Sequence, residues 1–325
     1  MSAASSRFIP PADLPESLWQ PQEKVACLPP DLVEVWKTLL DRHGLRILAE
    51  QPRPDKGPVG GLSKEATDQH LAWSFAGSSA RVELAMLDPK SDMPHVADAF
   101  ALVFSGGRVA VADLPCGSGA AALTILTTVA ELRRKARLPR QPLHAILVAG
   151  DISEHARAYA VEALERLRPL LEAQAIWVEP AFLQWDVCDT LSNTDLIREL
   201  TIRSQTCGAR LLVMANFSGF LQRDGKFTKA QPQLEELFRH SRDERSSVIW
   251  IEPQTNIVTH QQGGLFHRIG QWLAKAWAHF IRTVRREGQS DSETKTEAIV
   301  VDALNTQGRF EARLDVMRFD LRLER

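Results

Sequence analysis

Acidic and amide side chains recur at the ends of apolar runs in this 325-residue chain, each at the entry to a turn. The densest case is Val109-Ala-Val-Ala-Asp113-Leu-Pro115-Cys116-Gly117-Ser-Gly119-Ala-Ala-Ala122: a short apolar strand closed by a carboxylate, a glycine turn and the start of a helix. Glycine at 117 and 119 permits a tight turn and lets backbone N–H groups approach a ligand that a Cβ would obstruct. By itself Gly117-Ser-Gly119-Ala-Ala-Ala122 satisfies the dinucleotide pattern G-x-G-x-x-G/A. A nicotinamide or flavin site, however, usually runs straight from strand into glycine, whereas three residues separate Asp113 from Gly117 here. Further candidates follow at later strand ends: Asp151 in Gly150-Asp-Ile152-Ser153, Asp186 and Asp189 in Trp185-Asp-Val187-Cys188-Asp189, Asn216 in Asn216-Phe-Ser-Gly219, and Glu252-Pro253 with His260 and His267 beyond. Carboxylates there can accept hydroxyl or amino protons, and a histidine can act as general base where a nucleophile arrives protonated. Cys116 has no partner at nucleophile spacing and reads as a packing residue.

Such positions need a scaffold that gathers strand ends. From Arg108 strand and helix patterns alternate: strand 108–113, helix 120–136, strand 145–149, helix 155–173, and a strand opening at 175–178 that reaches 186. Helix 194–204, strand 210–216, helix 232–242 and strand 247–253 complete the series, followed by an amphipathic helix over 264–286. Alternation of this kind predicts a doubly wound parallel sheet, whose ligands bind outside the carboxyl ends of the strands, where the candidates above fall. The last forty residues change style. Patterns at 297–304 and 310–323, joined by Asn305-Thr-Gln-Gly308, predict an antiparallel hairpin, with a slip in the alternation near Met317.

Residues 1–107 are separated from this series. They predict a helix over 30–43 with Leu32, Val35, Trp36, Leu39 and Leu40 on one face, and further helices within 61–103, with a loop at Gly77-Ser78-Ser79. An apolar stripe must be buried, and the nearest open crevice is the one at the strand ends. The region therefore reads as a mainly helical cap that contributes acceptor-binding groups, with 108–325 as the α/β domain beneath it.

Composition excludes several classes. Hydrophobic residues make up 44% and charged residues 25%, as in ordinary globular proteins, and the net charge of −2 supplies no field to recruit nucleic acid or anionic membrane. The basic runs Arg133-Arg134-Lys135-Ala-Arg137 and 282–286 read as solvated helix ends. No apolar run is long enough to span a bilayer, the amino terminus lacks a signal pattern, and the four cysteines form no C-x-x-C pair. A cytoplasmic protein is expected.

Asp113, Cys116, Gly117 and Gly119 together resemble the first motif of class I S-adenosylmethionine-dependent methyltransferases, D-x-G-x-G-x-G or D-h-G-C-G-x-G, with Pro115 where that family most often has glycine. Gly150-Asp151-Ile152-Ser153 is similar to the family's G-h-D-h-S, although 38 residues separate Asp113 from Asp151, against about 20 in a compact unit. The resemblance covers 108–325 and implies a seven-stranded, mostly parallel sheet closed by a C-terminal antiparallel hairpin, a feature a dehydrogenase domain gives no reason to expect. It implies S-adenosylmethionine as cofactor, no metal, and a cofactor site of Asp113, Cys116, Gly117, Gly119, Asp151, Ile152, Asp186, Val187 and Asn216. In that reading Asp151 accepts both ribose hydroxyls through charge-assisted hydrogen bonds. Asp186 faces the adenine amino group, and a neighbour covers the ring.

Asn216 and His260 are the candidates beside the transferred methyl group. Family members that methylate nucleobase or glutamine amino groups carry N/D-P-P-Y/F at this point; Asn216 fits, whereas Phe217, Ser218 and Gly219 do not. The acceptor, a small molecule or a group presented by a partner protein, is not named by the sequence. The alternative from another class is a methyltransferase-like binding or assembly subunit without catalysis, which would account for Pro115, the wide Asp113–Asp151 spacing and the irregular Asn216 motif.

Overall fold

The computed structural model describes residues 7–52, 61–222, 225–243, 245–254 and 294–321. The helix expected at 264–286, and with it His260 and His267, lies outside the described residues. Five near-continuous apolar runs form parallel strands: β3 (Arg108–Asp113), β4 (Leu143–Asp151), β5 (Ile176–Gln184), β6 (Arg210–Ala215) and β7 (Ser246–Pro253). β3, β4, β6 and β7 are buried almost throughout, which is why their sequences do not alternate. β5 alternates because it is the edge of the sheet, and its Pro180 is tolerated for the same reason.

β8 (Thr294–Val301) and β9 (Arg309–Asp320) are antiparallel neighbours, and β9 lies between β8 and β7. The sheet is larger than the expected seven strands. β1 (Trp19–Gln20) and β2 (Val25–Ala26) add two short strands, β2 running parallel to the outer edge of β8, so the described order is β1-β2-β8-β9-β7-β6-β3-β4-β5. The amino-terminal region is thus not purely helical. Two-residue strands carry no periodicity to read.

The slip anticipated near Met317 does not occur, because the register of β9 against β8 and then β7 is continuous. Ala312, Leu314 and Val316 point to one face of the sheet, and Met317, Phe319 and Leu321 to the other. Side chains alternate strictly along a strand, so a change in which face is covered looks like a change of phase in the sequence.

The two faces are packed unequally. One core joins α1 (Pro30–Arg42), α3 (Lys64–Leu87), α4 (Pro94–Phe104), α5 (Ala120–Arg134) and α6 (Glu154–Glu172) to the sheet. The opposite core holds α7 (Thr190–Ser204), α8 (Ser218–Gln222) and α9 (Lys226–His240), centred on the fully buried Trp250. The short helix α2 (Arg46–Glu50) follows α1. Ser63, Ser153 and Asp189 cap α3, α6 and α7 by accepting backbone N–H bonds in the first turn. No described helix is long and apolar enough to cross a membrane.

Three local expectations are corrected. Gly77-Ser78-Ser79 is not a loop but lies inside α3, where Ser78, Ser79 and Ala80 are buried; packing outweighs the roughly 1 kcal/mol helix penalty of one glycine. α9 begins at Lys226 rather than at Pro232, because Phe227 and Ala230 extend its buried face by more than a turn. Arg133 is no solvated helix end: it is buried and donates to the carbonyls of Gln174 and Ala175 at 2.7 and 3.1 Å, while Arg134 pairs with Asp31 of α1.

Candidate functional site

In chain order the sheet runs outward from β3 in both directions, through β4 and β5 on one side and β6 and β7 on the other. A crevice must open at the carboxyl ends on either side of that reversal. A cavity of about 410 Å³ lies there, within the size range of small-molecule sites. Asp113, Cys116, Gly117, Asp151, Ile152, Asp186, Val187 and Asn216, singled out one by one along the sequence, all line it.

The loop after β3 is held open by its neighbours. The Cys116 N–H donates to the Gly150 carbonyl at 2.8 Å, and the Gly117 N–H to Asp151 Oδ2 at 2.9 Å. Asp151 Oδ1 accepts from the Ser153 N–H at 2.8 Å, at the start of α6. One carboxylate therefore ties the glycine loop to the next helix. Each of its oxygens keeps a further lone pair for a ligand. Asp151 is almost fully buried, and desolvation raises its pKa against the pull of those two N–H groups and Arg157.

Asp113 sits deeper. Its Oδ2 accepts from the Ala122 N–H at 3.0 Å, whereas Oδ1 is buried with no hydrogen-bond partner among the described residues. Burial pushes this carboxyl up to about 8, with the Asp151 charge adding to the shift and the Ala122 N–H opposing it. Burial also raises the Cys116 thiol, reinforced by Asp151 and Asp113, so this sulfur is not a thiolate at neutral pH.

The two glycines do different work. Both have positive φ, +50° at Gly117 and +86° at Gly119. A Cβ at Gly117 would meet open space on the cavity side. A Cβ at Gly119 would press on Leu123 at 3.0 Å and Ala160 at 3.1 Å, and Gly119 does not line the cavity. Its lack of a Cβ serves the close packing of α5 and α6.

Asp186 and Asp189 also separate. Asp186 Oδ1 accepts from the Cys188 N–H at 2.8 Å at the cavity wall, while Asp189 accepts from the Ser192 N–H at 2.7 Å as the cap of α7. Glu252 does not border the crevice as expected. It is fully buried, and its Oε1 accepts from the Phe217 and Ser218 N–H groups and from Trp250 Nε1, at 2.7 to 2.8 Å. It anchors the turn into α8.

Asn216 occupies the left-handed region at φ +57°, which an asparagine tolerates better than most residues. Its side chain does not cap the turn after β6. Nδ2 donates to Ser78 Oγ at 2.9 Å, and Oδ1 accepts from Arg81 Nη2 at 3.0 Å, both partners on α3. Helix α3 is the second wall: Thr67, His70, Phe75, Ser78 and Val82 all face the cavity, and Thr67 Oγ1 bonds Ser153 Oγ at 3.2 Å. Trp73, two residues before Phe75, is turned away, donating to the Leu48 carbonyl at 2.8 Å. Sequence reasoning missed Thr67, His70, Ser78 and Arg81. They carry no local signal, because polar and apolar residues are mixed around α3 without a distinct polar face. Lys226 and Lys229 complete the rim, with Lys226 Nζ 4.2 Å from the centre of the Phe220 ring. Among the described residues no group of three or more acidic, histidine or cysteine side chains is placed to hold a metal ion.

No protein-family model and no curated protein sequence matches this chain. Among solved structures it is similar to a Listeria monocytogenes protein whose structure is named as a class I S-adenosylmethionine-dependent methyltransferase. Identity is 12%, the match covers 89% of this chain and 79% of that one, and the TM-score is 0.36, too slight a likeness to bear on function.

Proposed function

We propose that this protein transfers a methyl group from S-adenosylmethionine to an acceptor bound between the strand ends and α3. The observation that carries this reading is the convergence of Asp113, Gly117, Asp151 and Asp186 on one cavity at the carboxyl ends of three adjacent parallel strands, on one side of the point where strand order reverses. The acceptor oxygens suit a nucleoside bearing a positive charge. Asp151 has lone pairs for vicinal hydroxyls, and Asp186 can accept from an exocyclic amine beside Val187.

When bound, the cofactor supplies a methyl carbon already activated by its sulfonium. The protein's part is alignment and exclusion of water. Gly117 keeps the cradle clear of side chains, Asp151 holds the loop and the sugar together, and Phe75, Val82 and Phe217 keep the acceptor end apolar. Residues 1–107 then furnish the acceptor wall rather than a separate module.

Calorimetric titration with S-adenosylhomocysteine tests the reading. Saturable one-to-one binding is expected, with competition by S-adenosylmethionine and none by nicotinamide dinucleotides. Absence of binding, or preference for a dinucleotide, overturns it.

A further inference from the structure

The corner formed by Asn216, Ser78 and Arg81 offers an acceptor only one kind of partner. Resting on the methyl-transfer reading above, we propose that the acceptor is a carboxylate, carried by a small and mainly apolar acid, and not an amine. Arginine has donors and no acceptor, so the atom of Asn216 that faces Arg81 Nη2 at 3.0 Å must be the carbonyl oxygen. That fixes the amide. Its nitrogen gives one proton to Ser78 Oγ at 2.9 Å, and among the described residues its second N–H has no other taker. A donor therefore points into this end of the cavity, polarised by the guanidinium bonded to the other end of the same amide.

An N–H donor recognises a lone pair. An amine, protonated at neutral pH, would bring a second positive charge against the Arg81 guanidinium that the Asn216 carbonyl holds. Phe75, Val82, Phe217 and Phe220 also line this end, with Lys226 Nζ over the Phe220 ring, which suits an apolar body carrying a negative charge.

The chemistry points the same way. A carboxylic acid is already ionised at neutral pH, whereas an amine or a phenol must first lose a proton to a base. A carboxylate lone pair forms the new O–C bond to the sulfonium methyl carbon, and the C–S bonding pair passes to sulfur. The products are a neutral ester and a neutral thioether, with no proton moved.

The test compares matched probes. S-Adenosylhomocysteine binding is measured first. On the saturated protein, benzoate, phenylacetate and hexanoate are then titrated beside benzylamine, phenethylamine and hexylamine. At least one acid is expected to bind at least tenfold tighter than its matched amine. Asn216→Asp, which sets a carboxylate against Arg81 and withdraws the N–H, is expected to abolish or reverse that preference. Arg81→Met serves as a second variant should the first fail to fold, and is expected to cut the preference at least threefold. Equal or tighter binding of the amines, no binding of any acid, or a preference unchanged in both variants overturns the proposal. Failure of S-adenosylhomocysteine to bind counts against the cofactor reading alone; the acid–amine comparison on the unliganded protein then still decides this one.

Discussion

The two walls of the cavity are built by different means. On the β3–β5 side, each functional group lies within a few residues of the strand that positions it, and the bonds that hold it are mostly short in sequence: Asp113 to Ala122, Asp151 to Ser153, Asp186 to Cys188. Facing it, Asn216 is fixed by Ser78 and Arg81, 138 and 135 residues away, from a helix outside the repeating strand–helix series. A wall made of strand-end loops is a local device that can be reused with many acceptors. A wall made by long-range contact is specific to the particular helix that meets it, and that is where an acceptor would be chosen.

The largest effect is expected at Asp151, which ties the glycine loop and lines the cavity. Asp151→Ala should raise the dissociation constant of S-adenosylhomocysteine by about ten- to a hundredfold, since hydrogen bonds to a charged group contribute about 1.5–3 kcal/mol. It should also destabilise the fold by at least about 1 kcal/mol through the orphaned Gly117 and Ser153 N–H groups. Calorimetry and urea melts read the two separately. Unchanged affinity would remove Asp151 from the ligand side.

Asp113 gives the next effect, through pH. Burial moves its carboxyl from the ordinary 3.8 up to about 8. Between those values the unfolded chain is ionised and the folded one is protonated, so folding takes up a proton. Stability contributed by this group therefore falls as pH rises from about 4 to about 8, by up to about 1.4 kcal/mol per unit, and is level above. Asp113→Asn cannot ionise. From pH 5.5 to 7.5 the wild type should lose about 2 to 3 kcal/mol more than the variant in urea unfolding. Parallel pH profiles would mean that Asp113 is charged in the fold.

Gly117 and Gly119 sharpen the contrast within one loop. Asparagine tolerates positive φ, so Gly117→Asn should fold within about 1 kcal/mol of wild type while its side chain enters the cavity and weakens S-adenosylhomocysteine about tenfold. Gly119→Asn should instead lower the melting temperature by crowding Leu123 and Ala160. The reverse pattern would mean that Gly119, not Gly117, is the cradle.

The smallest change tests the far wall. Ser78→Ala removes one hydrogen bond to Asn216, about 1 kcal/mol, and should narrow the acid-over-amine preference by about fivefold. S-Adenosylhomocysteine affinity should move less than that preference. An equal loss in both would place Ser78 on the cofactor side.

What the sequence determined by itself was whatever depends on neighbours along the chain. The alternating strands and helices from Arg108, the carboxylates at strand ends, the glycine turn and the cap at Ser153 are all set within one or two turns of backbone, where propensity, capping and hydrophobic period act directly. Tertiary structure decided the rest. It kept residues 76–80 helical, gave β9 two buried faces in succession, and added β1 and β2 to the sheet edge. It also separated acids that look alike in sequence. Asp186 faces the cavity while Asp189 caps a helix, and Glu252 is buried as the anchor of α8. The Asn216–Ser78–Arg81 corner left no local trace at all, because its bonds join residues whose nearness is produced only when α3 packs across the ends of the strands. Side-chain type and spacing specify which groups are available, whereas which of them face one another depends on burial and on the packing of elements far apart in the chain.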